Sequence, residues 1–249
     1  MITRATELLL ESQKRIAKLD ITPVVDMNVL TVEAESDDYT TEAGSTAVAL
    51  NKQKLKTRIK LSNLAPKNYT SLELFAGKGN LTRAVYQKSA KRCICVEYNK
   101  TTFLELIQNT DQNKVKCYNM NNLLFVENEL SNYPNIDIVD FDAFGSITPI
   151  INKFFENYKV NKPLLIGITD GYMVKAKRMM QSKDKLADEM IKGGYPSIPR
   201  HGLSLFKFME STVDLFLQRL AKKYKFKIEK LVGDNNRKST IYMGYRINP

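Results

Sequence analysis

The run Glu73-Leu74-Phe75-Ala76-Gly77-Lys78-Gly79-Asn80-Leu81-Thr82 joins a short apolar strand pattern to a helical one through two closely spaced glycines. Glycines at such a turn let the backbone come close to a ligand. The spacing is G-x-G without the third glycine of the dinucleotide fingerprint. A G-x-x-x-x-G-K-[ST] phosphate loop is absent. Twenty residues past Gly77, Glu97 ends the strand pattern Cys93-Ile94-Cys95-Val96. An acid at that distance, at the tip of a second strand, can accept hydrogen bonds from both hydroxyls of a ribose; otherwise it is a helix-capping acid. A third cluster, Asp140-Phe141-Asp142-Ala143-Phe144-Gly145, sets two acids and an aromatic at the end of an apolar strand pattern. That is the edge where open α/β sheets bind ligands. The competing reading is a tight turn with Phe144 in the core. Asp170 and Gly171 end a further strand pattern and can line the same cleft.

The elements that must position these groups alternate. Strands are expected at 71–75, 92–97, 114–119, 136–141 and 163–169, with helices at 81–88, 101–110 and 150–158. This β-α rhythm predicts a parallel, doubly wound sheet. A long amphipathic helix follows at 203–223, with Phe206, Met209, Val213, Phe216, Leu217 and Leu220 as its apolar stripe. The chain closes on an antiparallel hairpin, 226–232 and 240–247, around Gly233-Asp234-Asn235-Asn236. Ahead of the sheet, residues 2–19 read as a helix, 24–32 as extended and 33–44 as an acidic, small-residue loop. The division expected is an N-terminal extension over 1–66 and a catalytic domain over 67–249.

Charge and composition narrow the function. The 249 residues carry 38 Lys+Arg against 27 Asp+Glu, a formal net charge of +11. Such an excess points to a polyanionic partner, nucleic acid ahead of an anionic membrane surface. The basic run Lys52-Gln-Lys-Leu-Lys-Thr-Arg-Ile-Lys60 is either a solvated face or a contact to phosphates. The cluster Lys175, Lys177, Arg178, Lys183 and Lys185 is either a phosphate-binding rim or a charged helix surface. One histidine and three cysteines spaced unlike a C-x-x-C pair leave no zinc site, disulfide framework or His-based triad to expect. No stretch is apolar for long enough to cross a bilayer, and the N-terminus has no signal-peptide core, so a cytoplasmic location is expected.

The acid-apolar-apolar-Ala-Gly-x-Gly loop resembles the nucleoside-binding loop of the class I S-adenosylmethionine-dependent methyltransferases, a Rossmann-like fold that ends in an antiparallel hairpin strand. The resemblance implies S-adenosylmethionine as cofactor, with Glu73, Phe75, Ala76, Gly77, Gly79 and Asn80 in its loop. It implies Glu97 and Tyr98 at the ribose and Asn119 and Met120 at the adenine. Asn stands where the family usually has Asp, and Asn121 or Asn122 can take that role instead. Asp140–Gly145 resembles the [Asp/Asn]-Pro-Pro-aromatic motif of enzymes that methylate exocyclic amines. An amine conjugated to a base is a poor nucleophile; a carboxylate and a backbone carbonyl accept its hydrogens and an aromatic face stacks the base. On this likeness Asp142 accepts from the amine, Phe144 stacks, and Asp140 serves both cofactor and catalysis.

Asp-Phe-Asp-Ala-Phe-Gly-Ser is also similar to the Asp-Leu-Asp-Pro-Phe-Gly-Ser stretch of the tRNA guanine-N2 dimethyltransferases, which implies Gly145 at the substrate. Ala143 replaces the proline, and the chain has no room for the extra C-terminal domain of those enzymes. The expectation is an amine methyltransferase on nucleic acid, RNA ahead of DNA. Asp170, Lys175, Lys177 and Arg178 would stand on the substrate side, and no metal is needed. The alternatives are a DNA adenine or cytosine amino-methyltransferase, a small-molecule methyltransferase, and a non-catalytic nucleic-acid binder of this fold.

Overall fold

The computed structural model describes residues 52–143, 145–171, 190–196, 205–233 and 240–249. The expected elements before residue 51, Phe144, and the cluster at Lys175, Lys177, Arg178, Lys183 and Lys185 lie outside them.

Helix α1 (Lys52–Leu64) precedes strand β1 (Thr70–Glu73). Past the glycine loop, α2 begins as a π-helical stretch (Thr82–Tyr86) and continues through Gln87–Ser89. Then come β2 (Arg92–Val96), α3 (Lys100–Asn109), β3 (Val115–Tyr118), α4 (Asn122–Asn128), β4 (Ile138–Ala143), α5 (Thr148–Asn157) and β5 (Leu164–Asp170). Helix α6 (Leu205–Tyr224) leads to β6 (Lys227–Val232) and β7 (Ile241–Asn248). The seven strands run β3-β2-β1-β4-β5-β7-β6, parallel except that β7 is antiparallel to both β5 and β6. The order reverses between β1 and β4, and the crevice at the C-terminal ends of these two strands is where such sheets take ligands.

Local chemistry sets the helix ends. The Asn99 side chain caps α3 by accepting from Thr102 N–H at 3.0 Å, and Asn121 caps α4 by accepting from Leu123 N–H at 2.9 Å. Helix α6 stops at Lys225, which takes a left-handed φ of 58°, and Phe226 N–H reaches back to Ala221 C=O at 3.1 Å.

Because strand side chains alternate, the two faces of the sheet differ. One face is apolar: Leu72, Ile94, Val139, Phe141, Ile166, Ile168, Met243 and Tyr245 bury against α4, α5 and α6. The other carries a row of directly paired residues, Cys117, Cys95, Glu73, Asp140, Gly167 and Gly244. Helices α1, α2 and α3 cover it with Leu61, Leu81, Val85, Tyr86 and Leu106. The two glycines form a trough for α1. A Cβ at Gly167 would lie 2.9 Å from Arg58 Nε, and one at Gly244 would lie 2.9 Å from Leu61 Cδ2.

Arg58 is wholly buried in that trough. Its Nε and Nη2 donate to the two oxygens of Asp140 at 2.8 and 2.7 Å. Nη2 also donates to Thr169 Oγ1 at 2.9 Å and Nη1 to Ile168 C=O at 3.3 Å. Burial works against the guanidinium charge, but Asp140 outweighs it and the Arg58 pKa is raised. Helix α1 is thus tied to β4 and β5.

The structure differs from the expected elements in three ways. The basic run folds as a helix whose Lys54 and Arg58 turn inward, so it is neither wholly solvated nor wholly free for phosphates. Strand β4 extends to Ala143 because pairing with β5 continues through Asp142↔Thr169 and Ala143↔Asp170. Helix α4 was not foreseen; its apolar run Leu123–Val126 is too short to show a period.

Breaking a buried ion pair strands a charge, whereas replacing both partners does not. Arg58→Met and Asp140→Leu should each lower stability by about 3–5 kcal/mol, and the double variant should recover a large part of the summed loss. Denaturant unfolding of the four proteins checks this; strictly additive losses would contradict the pairing.

Candidate active site

The glycine loop is held from three sides. Ala76 N–H bonds Val96 C=O at 3.0 Å, Gly79 N–H bonds Ala76 C=O at 3.0 Å, and Asn109 Nδ2 donates to Lys78 C=O at 2.9 Å. Gly77 and Gly79 have φ of +56° and +79°, a region that side chains with a Cβ avoid. A Cβ at Gly79 would lie 2.8 Å from both Leu106 and Thr110, so this glycine lets the loop pack on α3. Beside Gly77 the space is open: a Cβ there would meet nothing within 4 Å among the described residues.

Glu97 comes to the same place from the tip of β2. Its Oε2 accepts from Gly77 N–H at 3.0 Å and its Oε1 from Asn99 N–H at 2.8 Å. Tyr98, next to it, is 71% exposed. The Asn119 amide donates to the C=O groups of Glu97 and Tyr98 at 2.9 and 3.1 Å, locking the ends of β2 and β3 together. Met120 packs partly against the core. Phe75 and Asn80 are half-buried and Ala76 is buried. The structure therefore gathers the loop, Glu97, Tyr98 and Asn119 at one end of the sheet.

Glu73 and Asp140 are directly paired across β1 and β4. Both are buried, and two carboxylates side by side on one face cannot both ionise cheaply. Burial first, and then the Asp140 charge, push the Glu73 pKa up to about 8. Its Oε1 is 3.7 Å from Cys95 Sγ. Burial also raises the Cys93 thiol to about 12 and Cys117 to about 11, which leaves both as unreactive thiols at neutral pH.

Asp140, expected at both cofactor and catalysis, is 1% exposed, and its oxygens take Arg58 and the Tyr86 hydroxyl, the latter at 2.6 Å. Those partners tie α1 and α2 to β4.

Asp142, two residues on, lies on the same face and is half-buried. It forms an ion pair with Lys54. Burial alone would raise its pKa, but Lys54, Arg58 and Thr169 together hold it below the ordinary carboxylate range. The fit between α1 and β4 is metric. Four residues of helix span about 6 Å and two residues of strand about 6.7 Å. Lys54 and Arg58 therefore meet Asp142 and Asp140 in register. This pairing was missed in the sequence, although Lys54, Arg58 and Leu61 show the i, i+4, i+7 spacing of an inward helical stripe.

Gly145 is exposed at the mouth. Asp170 is fully buried, and its carboxylate accepts the Tyr195 hydroxyl. The turn that carries Tyr195 also clamps the segment after β4, since the Gly193 C=O accepts from the hydroxyls of Ser146 and Thr148. Among the described residues there is no cluster of His, Cys, Asp or Glu that could hold a metal ion, and no helix is long and apolar enough to cross a membrane.

No protein-family model matches the sequence, and neither does any curated protein. Solved structures do match. Trm1 from Pyrococcus horikoshii, in complex with S-adenosyl-L-methionine, has a TM-score of 0.60 at 11% identity, covering 79% of this chain and 55% of that one. TYW2 from P. horikoshii, in complex with MeSAdo, has a TM-score of 0.52 at 15% identity, covering 80% and 64%. Trm5b from Pyrococcus abyssi has a TM-score of 0.50 at 12% identity, covering 80% and 49%. The chain has the Rossmann-like fold of the S-adenosylmethionine-dependent methyltransferases. It spans 64% of TYW2 and 55% of Trm1.

Glu73 supplies a test of the buried acid row. In the unfolded chain it ionises near 4.5, in the fold near 8. Between those values the folded state keeps a proton that the unfolded state has lost, so stability falls as pH rises. Thermal unfolding from pH 5 to 8 should show a declining Tm that Glu73→Gln makes flatter. Equal slopes in the two proteins would contradict the assignment.

Proposed function

We propose that this protein is an S-adenosylmethionine-dependent methyltransferase that methylates an exocyclic amine of a nucleic-acid base, in RNA ahead of DNA. The observation that carries the reading is the open space at Gly77, bounded by the Glu97 carboxylate 3.0 Å from its N–H, on the sheet that also presents Asp142.

The donor set suits the cofactor. A carboxylate at the tip of β2 suits a ribose diol, and the Gly77 backbone leaves room for a ligand to approach closely. The Tyr98 ring and the Asn119 side chain are both exposed beside Glu97 and would take the adenine. Glu73, Phe75, Ala76, Gly79 and Asn80 shape the loop, and Met120 backs the adenine position. When bound, S-adenosylmethionine supplies an electrophilic methyl group on a sulfonium sulfur.

The chain's own residues prepare the amine. Asp142, at the β4 side of the switch point, accepts an N–H hydrogen bond from the target nitrogen. Held below the ordinary carboxylate range, it is a weak base, so it orients the lone pair without removing the proton first. The nitrogen that Asp142 orients would receive the methyl group of S-adenosylmethionine, and the nitrogen's surplus proton would leave to solvent. Phe144 would stack the base, and Gly145 would leave its edge accessible. The likeness of Asp140–Ser146 to the tRNA guanine-N2 dimethyltransferases favours a guanine amine in tRNA. The formal charge of +11 favours a polyanion, with Lys175, Lys177 and Arg178 as phosphate contacts.

The test is transfer of labelled methyl from S-adenosylmethionine to bulk tRNA, ribosomal RNA and duplex DNA. Label should enter tRNA, and Asp142→Ala should cut transfer by about a hundredfold or more. Label in DNA alone would move the substrate to DNA. No label in any nucleic acid, or an unaffected variant, would overturn the reading.

A further inference from the structure

The two cations that α1 presents to β4 are not equivalent. Arg58 is wholly buried and makes bonds to Asp140, Thr169 and Ile168. Lys54 meets Asp142 where both side chains are 18% exposed. A guanidinium in a bidentate, dry site is a fixture, whereas a lysine ammonium is a hydrated point charge on a flexible stem that can change partners. An amine already occupies the carboxylate that the proposed reaction needs for the amine of the base.

That occupancy has a consequence for substrate choice. A target nitrogen that takes the Oδ2 of Asp142 displaces the Lys54 ammonium from it, and the displaced charge is stabilised by another anion. Helix α1 runs antiparallel to β4 and β5, because Arg58 lies over Gly167 and Thr169 while Lys54 lies nearer the strand ends at Asp142. The first turns of α1 therefore stand beside the crevice, and Lys52 and Lys56, on either side of Lys54, are exposed. A phosphodiester backbone lying along this end of α1 supplies the missing anion. A base within a polynucleotide brings both an amine for Asp142 and a phosphate for Lys54; a free nucleoside brings only the amine.

We propose that Lys54 is a specificity-determining residue that hands Asp142 to the target amine and takes a backbone phosphate in exchange, so that the site favours polynucleotides over free nucleosides. This rests on the methyltransferase reading above and adds to it a reason for a preference for polyanionic substrates.

The experiment compares wild type, Lys54→Met and Lys54→Arg in methyl transfer to bulk tRNA and to the four free nucleosides across a range of salt concentrations. In Lys54→Met the slope of log kcat/KM for tRNA against log salt should be shallower by about 0.7–0.9, the loss of one phosphate contact. Its nucleoside-to-tRNA ratio of kcat/KM should rise severalfold, while Lys54→Arg should keep the wild-type slope. A merely structural role for Lys54 would lower both substrates together and leave the slope alone. If wild type methylates tRNA and Lys54→Met keeps its slope and ratio, the exchange is wrong and the methyltransferase reading stands. If wild type methylates no nucleic acid, that reading falls and the exchange falls with it.

Discussion

The bidentate contact between Arg58 and Asp140 is the constraint on which the arrangement turns. A charge pair taken wholly out of water costs stability unless its hydrogen bonds are satisfied. Here the guanidinium meets both carboxylate oxygens, a hydroxyl and a carbonyl, and Asp140 also takes the Tyr86 hydroxyl. The pair needs two glycines on adjacent strands, because any side chain at Gly167 or Gly244 would occupy the space that Arg58 and Leu61 fill. It fixes α1 against the sheet, and the helical repeat then delivers Lys54 to Asp142. One buried interaction thereby sets both the position and the electrostatics of the residue proposed to receive the substrate.

The same row explains how three acids share one face of a sheet. Asp140 is neutralised by Arg58 and Asp142 by Lys54, while Glu73 has no cation of its own among the described contacts and keeps its proton at neutral pH. Glu73 and Asp142, placed on one face of neighbouring strands, are thus shifted in opposite directions because their surroundings differ. Only Asp142, at the open end, is partly accessible to a ligand. Further along the crevice, Glu97 reaches the glycine loop from another strand and accepts hydrogen bonds from the backbone N–H groups of Gly77 and Asn99.

Much of the scaffold was legible because local signals agreed with the global fold. The alternation of apolar strands with helical patterns predicted the doubly wound sheet, and the C-terminal hairpin predicted its antiparallel edge. The glycine loop and Glu97 were legible as a pair because their spacing is itself the geometry. The Arg58 partner of Asp140 was not legible, because adjacent acids in a motif look alike in sequence. Which of them faces a ligand depends on a helix eighty-two residues away from it. The Tyr195 hydroxyl on Asp170 was hidden for a related reason, since it comes from 25 residues further along the chain. The inward stripe of α1 was hidden because lysine and arginine in a basic run read as solvent-facing. Their burial follows only once β4 and its carboxylates are in place.

The central claim is that the open space beside Gly77 and Glu97 holds the nucleoside of S-adenosylmethionine. Calorimetric titration of S-adenosylmethionine into wild type and Glu97→Ala tests it most directly. Hydrogen bonds to a charged group are worth about 1.5–3 kcal/mol. The account therefore predicts one site per chain in the wild type, weakened by about tenfold or more in the variant. No binding to the wild type, or the same affinity in both proteins, would contradict it.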